Sequence, residues 1–276
     1  MKNVRITVIV DNHAEPPLIA EHGLAFWVET HDARILFDTG QGRALLPNAG
    51  RLGIDLRTVQ HIVLSHGHYD HTGGLAEVLD LAPDAVIHLH PDALHPKHSR
   101  QPAPPHRSIG MPERVASLLR SRAGVISTAA PTAIAHDVMA TGQIPRVNPL
   151  EQAAGDFFLD EECTAPDMLL DDQALFIDTP RGIVVLLGCA HSGVMTTCEY
   201  VRALTGKRIR GIIGGMHLLN ASEERLEATL HALQQLSPEF IAPCHCTGDQ
   251  AVGRVKDALP EAFRPCRVGC GYELPG

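Results

Sequence analysis

The stretch His66-Gly67-His68-Tyr69-Asp70-His71 places four residues that can bind a metal within six positions. It closely follows the apolar run Ile62-Val63-Leu64, a pattern typical of a buried strand. Ser65 therefore begins the loop at the carboxyl end of that strand, where α/β proteins commonly carry their chemistry. Residues two apart in an extended chain point the same way, so His66 and His68 can grip one cation.

Asp70 and His71 follow as the chain turns at Thr72-Gly73-Gly74, and are placed to face a second cation. Neutral imidazole and carboxylate suit zinc, and also iron or manganese. The alternative is a coincidental His-rich loop, because the chain contains 17 His in 276 residues. Three His and one Asp in this order, between a strand and a Gly-Gly turn, favour a metal site over that alternative.

The composition is typical of a soluble globular protein, with 44% hydrophobic and 20% charged residues. The net charge of −9 argues against a nucleic-acid or membrane-surface binder, since both favour basic patches. No apolar stretch approaches the roughly 20 residues that span a bilayer, and a signal-peptide pattern is missing. The seven Cys are odd in number and lack a framework spacing, as in a reducing compartment. We therefore expect a cytoplasmic protein.

The chain divides into two similar halves around an irregular middle. Strands are predicted at 4–10, 24–30, 34–37, 61–64, 85–89, 174–177, 182–187, 209–213 and 240–243. Helices are predicted at 75–81, 112–121, 193–204, 222–236 and 249–259. Such an order predicts two sheets packed face to face with helices outside. Over about 91–172 Pro is dense and periodicity weak, and we expect this segment to cover the site.

Three further His follow buried-type strands in the second half. His191 comes after Leu186-Leu187-Gly188, His217 after Ile212-Ile213-Gly214-Gly215-Met216, and His245 after Ile241-Ala242-Pro243-Cys244. A single His at a strand end is more often a surface or capping residue. Three in the same context, added to the first motif, predict six or seven ligands, which suits a two-metal site.

Taken together, these motifs resemble the metallo-β-lactamase-fold metallohydrolases over nearly the whole chain. Several stretches are similar to one branch, named for a dihydropterin-dependent synthase: Asp11-Asn12, Glu21-His22-Gly23-Leu24, Phe37-Asp38-Thr39-Gly40, residues 64–75, Gly188-Cys189-Ala190-His191, Gly214-Gly215-Met216-His217-Leu218 and Pro243-Cys244-His245-Cys246-Thr247-Gly248. The resemblance implies a single α/β domain over 1–276, an αββα sandwich of two mixed β-sheets with outer helices. The segment at about 91–172 is then an insertion that covers the active site.

The resemblance also implies a ligand set. The first metal is held by His66, His68 and His191, and the second by Asp70, His71 and His245. Hydrolytic relatives such as glyoxalase II place a bridging Asp at the fourth motif, where this chain presents His217. A carboxylate bridges with two oxygens and cancels charge, whereas a neutral imidazole offers each metal at most one nitrogen and no charge. We therefore expect a weaker second position or a single ion, with His217 either a ligand or a hydrogen-bond donor lining the pocket.

The implied function is a metal-dependent hydrolase that uses a metal-activated water on an ester or phosphoester of a small molecule. One or two zinc ions are the expected cofactor, with manganese or iron as alternatives. Asp70 and His217 are the expected catalytic residues, and Asp38 either holds a ligand His from outside or forms an Asx turn. Two other functions stay open: a synthase like the branch's namesake, and an iron-dependent oxidoreductase on the same fold.

Substrate contacts are expected from His22 and Arg107. Residues 93–112 contain no Asp or Glu but several His, Lys and Arg, a local reversal of the chain's charge. One interpretation is a lid in which Arg107 receives an anionic group such as phosphate; the other is a solvated, Pro-rich loop. We expect a small-molecule substrate and neither nucleic acid nor membrane as partner, and leave a homodimer open.

Three Cys flank predicted ligands: Cys189, Cys244 and Cys246. Thiolate binds zinc well, but residues on either side of His245 in an extended chain point away from it. We therefore expect these Cys to pack in the core. Cys266 and Cys270 are close enough in sequence to form a small redox or metal pair.

Overall fold

A computed structural model describes residues 3–151 and 157–275. The strands are β1 (Val4–Val10), β2 (Ala25–Glu29), β3 (Arg34–Phe37), β4 (His61–Val63), β5 (Val86–Leu89), β6 (His98–Ser99), β7 (Arg107–Ser108), β8 (Val125–Ser127), β9 (Thr132–Ala135), β10 (Val138–Ala140), β11 (Phe157–Phe158), β12 (Ala174–Thr179), β13 (Gly182–Leu187), β14 (Ile209–Gly215), β15 (Phe240–Cys244) and β16 (Gly271–Leu274). The helices are α1 (Leu45–Arg51), α2 (Tyr69–Thr72), α3 (Leu75–Leu81), α4 (Glu113–Ser121), α5 (Val194–Thr205), α6 (Glu223–Leu236) and α7 (Asp249–Ala258).

The strands form two large mixed sheets and one small antiparallel sheet. The first large sheet has the order β16-β1-β2-β3-β4-β5-β8, antiparallel from β16 to β3 and parallel from β3 to β8. The second has the order β15-β14-β13-β12-β10-β9, in which β13, β14 and β15 are parallel. The small sheet has the order β11-β6-β7.

Apolar side chains fill the space between the two large sheets and behind each of them. Phe26 and Phe37 of the first sheet share an inner cluster with Leu186 and Ile213 of the second. A second cluster joins the outer face of the first sheet to α1, α3 and α4, and a third joins the outer face of the second sheet to α5, α6 and α7. Burial of these side chains is the main force that stabilises the four layers. The predicted αββα sandwich of two mixed sheets is therefore confirmed.

The strands and helices predicted in the two halves are present, with bounds shifted by at most two residues. Helix α6 begins as predicted, since the Ser222 side chain accepts a hydrogen bond from the backbone N–H of Arg225. Helix α1 was missed because Pro47 and Gly50 lie within its seven residues. Its Asn48 side chain instead anchors it, by donating to the carbonyl oxygens of Ile9 and Ile19.

The segment 91–172 is less irregular than predicted. Strand β8 extends the first sheet, and β9 and β10 extend the second, so this part belongs to the framework. These strands are only three or four residues long, too short to show a clear alternation. The small sheet formed by β6, β7 and β11 lies beside the site, while residues 152–156 lie outside the described residues. Among the described residues, no helix is long and apolar enough to cross a membrane.

Candidate metal centre

The functional side chains come from the carboxyl ends of strands in both sheets. Asp38 follows β3 and His66 lies just beyond β4 in the first sheet. His191 follows β13, His217 follows β14 and His245 follows β15 in the second. Parallel neighbours end at the same edge of a sheet, and the two edges meet here. The site therefore depends on both halves of the chain.

Several of these strand ends carry a non-glycine residue with a positive φ. The φ values are 61° at Asp38, 52° at Ala190, 49° at His217 and 51° at His245. This left-handed region is unfavourable for residues with a Cβ, and such residues concentrate where function requires it. Here the backbone turns sharply as each strand ends, which aims the neighbouring side chains at a common point.

Three buried imidazoles form the first group of candidate ligands. Nε2 of His66 lies 2.9 Å from Nδ1 of His68 and 3.3 Å from Nε2 of His191. Two nitrogens on one tetrahedral zinc, each at about 2.0–2.1 Å, lie roughly 3.3 Å apart. Burial lowers the pKa of His68 to about 3 and that of the other two well below the usual range. The rings are therefore neutral, which is the form that binds metal.

Asp70, His71 and His245 form the second group. Nε2 of His71 lies 3.2 Å from Nε2 of His245, and Oδ2 of Asp70 lies 3.6 Å from the latter and 3.8 Å from the former. Burial raises the pKa of Asp70, but the neighbouring His71, His22 and His245 outweigh it and hold that pKa below its usual range. A buried, ionised carboxylate with two imidazoles is a donor set suited to a divalent cation.

Asp38 sets the orientation of ligands in both groups. Its Oδ2 accepts hydrogen bonds from Nδ1 of His71 and from Oγ of Ser65, each at 2.7 Å. Because that hydroxyl donates to Asp38, it accepts from Nδ1 of His66 at 2.8 Å. Both rings are thus protonated at Nδ1, which leaves Nε2 as the atom that can bind a metal. Burial lowers the pKa of His71, but the carboxylates of Asp38 and Asp70 outweigh it and raise that pKa to about 9, so a metal would displace the Nε2 proton of this ring. The outer contact predicted for Asp38 is present.

Gly188 makes room for this chain of hydrogen bonds. A Cβ at this position would lie 2.1 Å from Oγ of Ser65 and 3.2 Å from Oδ2 of Asp38. No side chain fits there without displacing the hydroxyl that links Asp38 to His66. The glycine immediately after β13 is therefore required by the site and not by a turn.

His245 is held in the same manner from the end of β1. Its backbone N–H donates to Oδ1 of Asp11 at 3.0 Å, and its Nδ1 donates to Oδ1 of Asn12 at 3.0 Å. The amide oxygen of Asn12 can only accept, so Nε2 of His245 carries the lone pair that faces the second group. The Asp11-Asn12 pair at the end of β1 thus positions a candidate ligand.

The loop between the first two candidate ligands is held by a buried ion cluster. Oδ2 of Asp171 accepts from the backbone N–H of Gly67 at 2.7 Å, between His66 and His68. Nζ of Lys97 contacts Oδ1 of Asp171 at 3.0 Å and Oδ2 of Asp167 at 2.8 Å. All three charged side chains are buried. The 91–172 segment therefore holds the loop that carries His66 and His68.

The structure corrects the expectation that the flanking Cys all pack in the core. Cys244 does so, within the inner cluster between the sheets. Cys189 and Cys246 instead line the cleft above the candidate ligands. The extended geometry assumed for this stretch ends at His245, whose positive φ turns the chain. Cys266 and Cys270 are free thiols that pack at the edge of the inner cluster.

His22 and His217 border the two groups. Nε2 of His22 lies 3.1 Å from Oδ2 of Asp70, and this contact raises the pKa of the half-exposed imidazole. The ring centroid of His217 lies 4.4 Å from that of His191. Nδ1 of His217 is buried and has no hydrogen-bond partner among the residues the structure describes. His22 thus adjoins the second group and His217 the first.

The candidate ligands form the floor of an open cleft of about 400 Å³. Arg107 lies at its wall, where Nη2 donates to the Tyr69 hydroxyl at 2.6 Å and the guanidinium lies 5.2 Å from the ring centroid. Arg225 lines the same cleft, and its Nε is buried without a partner in the described part of the chain. Arg225 lies in the first turn of α6 and is not among the site residues predicted from the sequence. A basic residue in a first turn opposes the helix dipole, and that signal marks it for another role.

Comparison with known proteins shows to which family the chain belongs. The sequence profile of the Metallo-beta-lactamase superfamily matches residues 19–245. An uncharacterized protein of Methanocaldococcus jannaschii is 34% identical over 253 residues, which cover 91% of this chain and 93% of that protein. A second protein of that organism, named 7,8-dihydropterin-6-methyl-4-(beta-D-ribofuranosyl)-aminobenzene-5'-phosphate synthase, is 27% identical over 282 residues, with 97% and 95% covered.

Solved structures give the same result. Tm1679, described as a metal-dependent hydrolase of the beta-lactamase superfamily, superposes with a TM-score of 0.83 at 31% identity. The match covers 99% of this chain and 100% of that one. The family profile begins before the first candidate ligand and ends at the last, His245. The chain therefore belongs to the metallo-beta-lactamase superfamily.

Proposed function

We propose that the chain is a metal-dependent hydrolase that cleaves an ester or phosphoester of a small, anionic molecule. The observation that carries this proposal is the pair of facing ligand groups on the floor of an open cleft. Neighbouring imidazole nitrogens within each group are 2.9–3.3 Å apart. Because several acceptor nitrogens converge on one point, hydrogen bonds among them cannot satisfy all of their lone pairs. A cation at each group satisfies these lone pairs together.

The residues divide the work as follows. His66, His68 and His191 would hold one ion, and Asp70, His71 and His245 the other. A bound zinc, manganese or iron ion supplies Lewis acidity and lowers the pKa of a coordinated water toward 7. Asp70 contacts His245 within its own group and His22 at the border of that group, so its carboxylate can orient a water while His22 holds a proton next to the substrate. His217, beside the first group, lies where it can donate to a substrate oxygen.

The test is a metal-resolved activity screen. The protein is freed of metal with a chelator and reloaded separately with zinc, manganese and iron(II), the last without oxygen. Each form is assayed on phosphodiesters, phosphomonoesters, thioesters, lactones and carboxylic esters. We expect the zinc or manganese form to hydrolyse one of these classes and the chelated form and a His68→Ala variant to be inactive. Activity that survives His68→Ala, or an iron-only activity that consumes oxygen, contradicts the proposal.

The anionic part of the proposal rests on Arg107 and Arg225. Both guanidinium groups line the cleft, and that of Arg225 retains a buried N–H that has no partner among residues 3–151 and 157–275. A hydrogen bond to a charged group contributes about 1.5–3 kcal/mol, so Arg225→Ala should lower kcat/KM for a phosphate-bearing substrate by about 10-fold or more. Hydrolysis of an uncharged ester should change little.

Arg107→Ala is assayed alongside, and Arg254→Ala serves as the control. Arg254 lies on α7 and pairs with Glu223 and Glu227, both exposed, so its removal should affect neither substrate. An equal loss on the phosphate-bearing and uncharged esters in both Arg107→Ala and Arg225→Ala would show that the arginines maintain the cleft and do not select an anion.

A synthase is the second candidate function. It is favoured by the printed name of the Methanocaldococcus jannaschii relative, which is similar over 97% of this chain. The cleft also carries the aromatic rings of Tyr69 and Phe157, which suit a flat ligand. The metal-loaded protein is therefore also incubated with a dihydropterin pyrophosphate and an aminobenzene ribofuranoside phosphate, so that the arene can displace pyrophosphate. A joined product detected by mass spectrometry, with none of the esters hydrolysed, would favour the synthase.

A further inference from the structure

A sulfur atom lies at the point where the two ligand groups meet. Sγ of Cys189 is 3.2 Å from Nε2 of His71. It forms one convergent group with His66 and His191 and another with His71 and His245, with all ligand atoms of each group within 4.8 Å of one another. Sulfur at about 2.3 Å and nitrogen at about 2.0–2.1 Å from one tetrahedral zinc lie roughly 3.5 Å apart. Cys189 therefore has the spacing of a ligand from His71 in the second group, and it lies within 4.8 Å of the ligand atoms of His66 and His191 in the first.

Charge balance gives an independent reason for a ligand here. Among the six residues of the two groups, Asp70 is the only acid, against two divalent cations. A neutral imidazole such as that of His217, which borders the first group, adds no negative charge. A thiolate supplies one negative charge and has enough lone pairs to contact two ions. Cys189 thus adds a second negative charge at the point where the two groups meet.

We infer that the Cys189 thiolate is a metal ligand shared between the two positions. On metal binding the S–H proton leaves to solvent and a metal–sulfur bond forms, as for other thiols that coordinate a divalent ion. The inference rests on the metal binding that the proposed function requires, but not on the reaction or on the substrate.

Cys246 is the competing thiol and lies in the same cleft. Its Sγ lies 3.5 Å from the carbonyl oxygen of Cys189 and donates to it. It belongs to none of the convergent ligand groups found among the described residues. Cys246 therefore provides the comparison variant, since it is a thiol of the same cleft that contacts the side chains of Cys189 and His217 but lies outside each of these ligand groups.

The first measurement needs no variant. X-ray absorption of the zinc-loaded wild-type protein should show sulfur at about 2.3 Å from zinc, with one sulfur for each ion when both positions are filled. Half a sulfur for each ion would overturn the shared position, and a shell of nitrogen and oxygen alone would overturn the inference entirely. Failure to bind any metal would overturn the proposed function as well.

The second measurement assigns the sulfur. Cobalt(II) replaces zinc, and the near-ultraviolet charge-transfer band from sulfur to cobalt is recorded for the wild type, Cys189→Ser and Cys246→Ser. We expect the band to vanish in Cys189→Ser only, together with a fall in metal affinity of about 10-fold or more in chelator competition. A band that survives Cys189→Ser and vanishes in Cys246→Ser would assign the ligand to Cys246. Because serine nearly matches cysteine in size, circular dichroism of each variant should match that of the wild type.

Discussion

Replacement of Lys97 by Met should lower the free energy of unfolding by about 3–5 kcal/mol, the usual result of removing one partner of a buried ion pair. The Lys97 side chain is 1% exposed, and its Nζ contacts the carboxylates of Asp167 and Asp171, which are 6% and 0% exposed. Methionine fills the space of the methylene chain but leaves both carboxylates without their counter-charge. Equilibrium unfolding in urea of the metal-free protein measures the loss.

Lys207→Met is the matched control. Lys207 makes the same kind of contact, with Nζ 2.6 Å and 2.7 Å from the two oxygens of Asp178, but its side chain is 50% exposed. Exposed ion pairs contribute about 0–1 kcal/mol, so this variant should unfold almost as the wild type does. If the two substitutions lower the free energy of unfolding equally, burial of the ion pairs of Lys97 does not cause the loss of stability.

The effect of Lys97→Met should also depend on pH. Burial raises the pKa of Asp171, but the Lys97 ammonium outweighs it and holds that pKa below its usual range. A lowered carboxyl pKa stabilises the fold above the unfolded value of about 3.9, and this contribution is lost as the pH falls through the lowered pKa. In the variant the unpaired carboxylates take up protons more readily. The difference between variant and wild type should therefore be large near pH 8 and shrink as the pH falls toward 4.

The fold could be predicted because its two halves repeat patterns that physical chemistry constrains strongly. Runs such as Ile183–Leu187 are apolar throughout, since the strand is covered on both faces, and their lengths separate them from the periodic helices. Helices and strands that are stabilised mainly by tertiary contacts could not be predicted. Helix α1 depends on Asn48, and β16 is a four-residue edge strand completed by pairing with β1.

The residues of the candidate site also differ in whether they could be predicted from the sequence. Residues close in sequence and directed by one strand end, such as His66 and His68, could be assigned from their spacing alone. Positions that depend on a local departure from extended backbone could not. Cys246 was placed away from the site because the φ of 51° at His245 leaves no trace in the sequence. Arg225 and the partners of Lys97 are joined to the site only by the packing of distant elements.

Apart from the candidate ligands themselves, the residues that hydrogen-bond to those ligands are expected to have the largest effect on metal binding when substituted. Asp38 is fully buried and receives hydrogen bonds from His71 directly and from His66 through Ser65, so one carboxylate orients a ligand in each group. Asp38→Asn removes the charge but keeps the size of the side chain. Asn also tolerates the φ of 61° at this position, so the backbone should not change.

Asp38→Asn should weaken metal binding by about 10- to 100-fold, the usual cost of losing the outer partner of a ligating His. Oδ2 of Asp38 accepts from both His71 and the Ser65 hydroxyl, and Oδ1 accepts from the backbone N–H of Ser65, so the amide nitrogen of Asn would face a donor in either orientation. If it replaces Oδ2, His71 and Ser65 both lose their acceptor and Nε2 of His71 and of His66 is no longer fixed toward the site; if it replaces Oδ1, the loop that carries His66 loses its backbone hydrogen bond. Competition with a chelator measures the affinity, and the tautomers follow from the imidazole nitrogen signals in NMR. Asp137→Asn is the control, because Asp137 also has a positive φ, 65°, and contacts Nδ1 of a His, His136, at 2.7 Å on the surface. If the two variants bind metal with equal affinity, Asp38 stabilises only the loop. A loss of metal affinity in Asp38→Asn alone would show that one buried carboxylate orients the ligands of both positions.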